Sequence, residues 1–315
     1  MNIYSLYVTR SREEREYFYK VLEQLGNNVQ RTNVQIVHLD FKYTDVYYNM
    51  KFYKQSINAV KYTLKNGLFN KKSSIIYDFD DLVRLYTPNS GKSIFIYSGH
   101  SDGMYLVKHN IRILRIEDFC ELTFKVLGGR KADLIIFDCC LCGNIGCLSI
   151  CRDYTNFVIA STSYWSYLSV LETPSLYSKN TDTLFLGKNV INDIIHIEET
   201  TKDTFKTEFC LYEMNDSLNK LIELVLKYKD SFNLKKSYIM EKSYYKDIEC
   251  EFKENFNIDI SFILKGFIRF QRFPVKKCQH RKVSKNANKS AASSLVIILK
   301  RPIHEIPTKA DIFLK

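Results

Sequence analysis

Two short stretches of this chain bring together residue types that can do nucleophilic chemistry. One reads YSGHSDG and carries His100. The other reads FDCCLCG and carries Cys139, Cys140 and Cys142. Each follows an apolar run, SIFIY over Ser93–Tyr97 and ADLIIF over Ala132–Phe137. A thiol with its ordinary pKa of about 8.5 holds little thiolate at neutral pH. An imidazole beside it can take the proton as sulfur attacks and pass it to a leaving amine. His100 and Cys140 are therefore candidates for the base and nucleophile of a thiol peptidase, with Cys139 an alternative on chemistry alone. Backbone N–H groups in the loops after the two runs could hold a developing oxyanion. Asp138 lies two residues before Cys140, so strand alternation puts it near the same side, where an acid suits a basic substrate side chain.

That chemistry requires the two runs to be strands whose carboxyl ends open on one crevice, as in a doubly wound sheet. The pattern predicts strands over Ile3–Thr9, Val34–Phe41, Ser93–Tyr97, Ala132–Phe137 and Phe157–Ala160, and a short hairpin arm over Met104–Val107. Helical spacing is read over Arg10–Leu25, with Ser11 a cap before Glu13 and Glu14, and over Ser56–Leu68, Ile116–Leu127, Gly187–Ile197 and Met214–Lys227. Ile75–Tyr77 suggests a strand and the following DFDDLVRLY a helix. Lys236–Phe256 reads as helix or loop, Arg281–Ser294 as a flexible basic loop, and Leu295–Leu299 as a returning strand. Strands alternating with helices argue for a parallel sheet covered on both faces.

Composition narrows the class. The 315 residues are 45% apolar and 26% charged, which suits a globular chain and excludes a disordered one. The opening residues lack a basic region followed by a long apolar run, so no secretory signal is expected, and no apolar stretch is long enough for a membrane span. Nine cysteines, five of them between Cys139 and Cys151, fit a reducing compartment, and a cytoplasmic location is expected. Cys139 and Cys142 make one CxxC with no second to pair with it, and Cys147 and Cys151 stand one helical turn apart, so neither metal nor cofactor is expected. The net charge of +11 is confined: residues 261–304 hold eleven Lys or Arg and no acid. Phe267, Phe270 and Phe273 interleave there with Arg269 and Arg272, a pattern that could contact a polyanion or nucleic acid, or form a solvated basic face.

The two motifs resemble those of the caspase-like (clan CD) cysteine peptidases, and within them most the clostripain family. Those enzymes carry a His–Gly pair after one strand and Asp-x-Cys-x-x-Gly after the next. The resemblance implies an α/β/α sandwich with a mostly parallel central sheet. It makes His100 the catalytic histidine, Cys140 the nucleophile, and Asp138 an S1 acid preferring Arg or Lys at the cleaved position. It implies a catalytic core over 1–172, with 173–315 either completing the sheet or forming a helical, basic appendage. Trp165 would line the cleft as an aromatic wall. Ser101 stands where the family usually has Gly; it can still offer a backbone N–H to substrate, but would be strained if a positive φ were required. Thr162 stands where the family often has a second S1 acid. Lys108, Arg112, Arg115, Arg130 and Lys131 lie between the dyad residues as candidate sites of activating cleavage. The expected function is a cysteine endopeptidase acting on protein or peptide substrates. The alternative is an inactive caspase-like scaffold that binds protein or, through its basic segment, nucleic acid.

Overall fold

The computed structural model describes residues 1–28, 32–40, 57–65, 68–101, 103, 105–109, 112–162, 169–178, 182–200, 208–228, 238–240, 243–272 and 296–298. The chain opens with β1 (Asn2–Thr9), α1 (Arg12–Asn28) and β2 (Asn33–Asp40), then an antiparallel pair, β3 (Ile57–Lys65) and β4 (Leu68–Ile76). Helix α2 (Phe79–Arg84) leads to β5 (Ser93–Ser98). The small hairpin of β6 (Tyr105–His109) and β7 (Arg112–Arg115) runs into α3 (Ile116–Val126) and β8 (Ala132–Asp138). Next come α4 (Ile145–Cys151), β9 (Thr155–Ser161), 3-10 turns at Val170–Glu172 and Pro174–Tyr177, and α5 (Thr183–Thr200). The remainder comprises β10 (Phe209–Glu213), α6 (Asp216–Tyr228), β11 (Tyr238–Met240), β12 (Ser243–Asp247), α7 (Ile248–Phe256), α8 (Ser261–Phe267), β13 (Ile268–Arg272) and β14 (Val296–Ile298).

One nine-stranded sheet, ordered β13-β10-β9-β8-β5-β1-β2-β3-β4, organises these elements. Its middle five strands, β9, β8, β5, β1 and β2, are mutually parallel. An antiparallel pair closes each side: β3 and β4 beyond β2, β10 and β13 beyond β9. Thus β10 and β13, from the carboxyl-terminal half, pair into the same sheet as β1. The parallel strands are apolar on both faces because both faces are covered. In β8, Ile135 and Phe137 enter one core with α3, α4, α6, α7 and α8, while Leu134 and Ile136 enter the other with α1 and α5. Burial of side chains of this size contributes about 1.5–3 kcal/mol each. The result is an α/β/α sandwich.

The expected helix over Ser56–Leu68 is instead strand β3. Its apolar residues fit both periods, but Tyr62 and Leu64 alternate into the second core, opposite Ile36 and Val34 of β2. An open, β-branched strand edge with matching apolar partners overrides the helical spacing. In the basic segment, Phe267 is fully buried and stacked on Tyr212, and Phe270 packs on the second core. Phe267 therefore has no face to offer a nucleic-acid base. Phe273 and the loop 281–294 lie outside the described residues.

Candidate active site

The two motifs leave the sheet side by side. β5 and β8 pair in parallel with Ser98 opposite Asp138, and Gly99 N–H donates to Asp138 O at 3.3 Å. His100 and Cys140 each stand two residues beyond that pair, at the same height on adjacent strands. Paired strands run about 4.8 Å apart. The register continues sideways: Tyr7 of β1 faces Ser98, and His38 of β2 faces Tyr7. His38, Tyr7, Ser98 and Asp138 thus form one row along the carboxyl edge, on the face covered by α1.

The His100 ring is part-exposed, and its Nε2 meets Glu14 Oε1 at 2.7 Å. Glu14 belongs to the first turn of α1. Its other oxygen accepts Arg10 N–H at 2.6 Å, and its own N–H donates to Ser11 Oγ at 3.2 Å. Burial pushes the Glu14 carboxyl up, but the hydrogen bonds from His100 and Arg10 outweigh it and hold the group below the ordinary carboxylate range. The His100 backbone is fixed as well, because Tyr97 Oη lies 3.0 Å from His100 O and 2.6 Å from Leu106 O.

The cysteines separate by depth. Cys139 is 0% exposed, points into the first core and has its Sγ 3.4 Å from Cys142 Sγ. Burial pushes its thiol well up, which keeps it protonated. Among the seven cysteines whose side chains are described, Cys140 alone is not fully buried, and none of the seven is in a disulfide. Of the two neighbouring thiols, Cys139 is buried and Cys140 is partly exposed. Among the described residues no group of three or more His, Cys, Asp or Glu is placed to hold a metal ion.

Beyond Cys140 the chain turns sharply. Leu141 adopts φ 64°, the left-handed region. Asn144 then caps α4, its Oδ1 accepting Cys147 N–H at 2.9 Å. The same amide donates to Leu141 O at 2.8 Å and to Gly103 O at 2.9 Å. One buried side chain therefore ties the loop after Cys140 to the loop after His100. Gly143 explains the glycine of the cysteine motif: a Cβ there would lie 2.8 Å from Thr162 Cγ2, 2.9 Å from Ser161 C and 2.9 Å from Tyr212 Oη.

The remaining residues named from sequence are distributed as follows. Asp138 is 3% exposed, and its Oδ2 accepts from Ser98 Oγ at 2.7 Å and Val170 N–H at 3.1 Å. Ser101 does not adopt a positive φ; Gly99 and Gly103 do. Its hydroxyl folds back to accept Gly103 N–H at 2.9 Å and stands 3.4 Å from Cys142 Sγ. Thr162 donates to Glu208 Oε2 at 3.0 Å, so an acid from beside β10 does stand at that strand end. Strand parity places this pair on the first-core side, opposite Asp138. Trp165 lies outside the described residues. Of the candidate cleavage positions, Arg115 is paired with Asp118 and Lys131 Nζ donates to Arg152 O.

Sequence reasoning missed Glu14 and Asn144 as parts of this site. The S-x-x-E spacing of Ser11 and Glu14 marks a capping box, but nothing local indicates that the carboxylate also meets a histidine 86 residues away.

No family model matches the chain, and no curated protein matches it by sequence. Solved structures do. A secreted C11 cysteine protease from Bacteroides thetaiotaomicron, in complex with an irreversible peptide inhibitor, superposes with TM-score 0.65 at 12% identity, over 95% of this chain and 93% of that one. A second structure of a secreted C11 protease from that organism, iotapain, gives 0.60 at 13% identity, over 86% of each chain. An inactive zymogen C11 protease from Parabacteroides distasonis gives 0.60 at 11% identity, over 95% and 92%. The descriptions of the first two as secreted overturn the expectation of a cytoplasmic chain. The physical weakness of that expectation is visible in the fold, where six of the seven described thiols are buried, so their being unpaired reports packing rather than compartment. The architecture of this chain is that of the clan CD, clostripain-type (C11) cysteine proteases.

Proposed function

We propose that the chain is a cysteine endopeptidase in which Cys140 attacks the scissile carbonyl and His100 moves the proton. The single observation that supports this reading is the register of β5 and β8, in which His100 and Cys140 each follow two residues after the paired Ser98 and Asp138 on adjacent strands. The imidazole takes the Sγ proton as the C–S bond forms. It then delivers that proton to the leaving amine as the C–N bond breaks, and water releases the acyl group. The backbone N–H groups of the two loops are the donors for the oxyanion.

Cleavage after Arg or Lys is the specificity that the local field favours. The Tyr7 phenol is pushed well above its ordinary value, first by burial and then by the negative charges of Asp138, Glu172 and Glu14. Three carboxylates gathered around Tyr7 favour a cationic side chain nearby, and Asp138, two residues before Cys140, is the acid proposed to meet it.

The test is a panel of fluorogenic peptides with Arg, Lys, Asp or apolar residues at the cleaved position. The expected result is turnover after Arg or Lys, lost in Cys140→Ala and in His100→Ala. Turnover that survives Cys140→Ala would overturn the nucleophile, and cleavage confined to Asp or apolar positions would overturn the specificity.

A further inference from the structure

The contact between α1 and the His100 ring has a consequence for which nitrogen does the chemistry. We propose that Glu14 is a positioning residue, accepting the Nε2–H of His100 and so leaving Nδ1 as the nitrogen that takes the proton from Cys140. The inference rests on the peptidase reading of the dyad. It stands on three geometric facts. The 2.7 Å contact fixes one ring nitrogen against a carboxylate oxygen. The second oxygen of that carboxylate is held by Arg10 N–H at 2.6 Å, so the group cannot rotate away without losing a backbone partner. The carboxylate also lies in the first turn of a 17-residue helix, where exposed N–H groups favour negative charge.

An ionised carboxylate accepts and does not donate, so the shared proton resides on Nε2. That leaves a lone pair on Nδ1. When Nδ1 gains the Cys140 proton, the ring becomes cationic, and Glu14 stabilises it through the same hydrogen bond. Glu14 itself touches no reacting atom. Its effect passes through ring orientation, tautomer and charge.

The test uses the full chain labelled with 15N-histidine. Ring nitrogen shifts, with His100 assigned by its loss in His100→Ala, should report the Nε2–H form at neutral pH. Glu14→Ala should mix the two tautomers and lower kcat by about 10–100-fold, less than loss of an acid–base group itself because the imidazole remains, with KM changed by less than about twofold. Glu14→Gln keeps an acceptor for Arg10 N–H, and so guards against loss of the helix cap. Its single amide oxygen stays on Arg10 N–H, so the NH2 group faces the ring and donates to Nε2; the ring should shift to the Nδ1–H form, and kcat should fall as in Glu14→Ala. Failure of this inference is distinct from failure of the peptidase reading. If Cys140→Ala abolishes turnover while Glu14→Ala leaves both tautomer and kcat unchanged, Glu14 has no positioning role. If turnover survives Cys140→Ala, the peptidase reading falls while the tautomer measurement still decides the Glu14 contact.

Discussion

Asn144 is the side chain on which the two loops depend, and its removal can be costed. It is 1% exposed and makes three hydrogen bonds, to Cys147 N–H, Leu141 O and Gly103 O. Truncation to Ala removes the α4 cap, worth about 1 kcal/mol. It also leaves two carbonyls of buried residues without this donor, at about 1 kcal/mol or more each. The total is about 3 kcal/mol. For a chain of 315 residues, at about 2.1 cal/mol/K of unfolding entropy per residue, one kcal/mol moves the thermal midpoint by about 1.5 °C, so it should fall by roughly 4–5 °C. Asn144→Ser keeps a cap acceptor but cannot reach the two carbonyls, so it should lose only about 2 kcal/mol. Differential scanning calorimetry with urea titration measures both. In the peptide assay kcat should fall in both variants, because the two loops lose their common tether. A midpoint shift under about 2 °C for Asn144→Ala would refute the costing. Equal losses in the Ala and Ser variants would refute the division between cap and bridge.

Gly143→Ala forces a Cβ within 2.9 Å of both Ser161 C and Tyr212 Oη, which should destabilise the protein by about 1–3 kcal/mol in chemical denaturation; a neutral result would show that the loop relaxes freely. His38 is buried beside Phe18 and hydrogen-bonded to Thr9 Oγ1, and burial lowers its pKa from 6.5 to about 4. The unfolded chain therefore binds a proton at this site near pH 6.5, and the folded chain only near pH 4. Stability should fall as pH drops through that window, by about 3 kcal/mol from this group, and His38→Gln should flatten the slope of urea stability against pH. Asp138→Asn preserves acceptors for Ser98 and Val170 but removes the charge. It should lower kcat/KM for Arg peptides by about 30-fold or more while leaving apolar peptides little changed, and an unaltered preference in the peptide panel would remove Asp138 from the specificity role.

Much of the core was legible in the sequence. SIFIY and ADLIIF read as buried strands because they are continuous apolar runs of strand length, and the structure pairs them directly. Ile116–Leu127 read as a helix for its spacing and its Gly128–Gly129 stop, and α3 occupies nearly that span. Ser56–Leu68 did not read correctly, because short apolar spacing cannot tell a helix face from an edge strand until the partner strand is known. The edge of β2 supplied that partner.

Within the candidate site the division is sharper. The sequence by itself determined which chemistry was on offer: an imidazole and several thiols at the ends of two apolar runs, with an acid two residues before Cys140. The motif resemblance included Gly143 without a physical reason for it. The tertiary structure decided the rest. It buried Cys139 and left Cys140 part-exposed, because the strand ends there and the next residue turns left-handed. It brought Glu14 to His100 across 86 residues and hung both loops on Asn144. It brought Glu208, the residue before β10, to Thr162 across 46 residues. Local patterns encode which face a residue takes. Contacts between residues far apart in sequence depend on which strands are neighbours, and only the assembled sheet sets that.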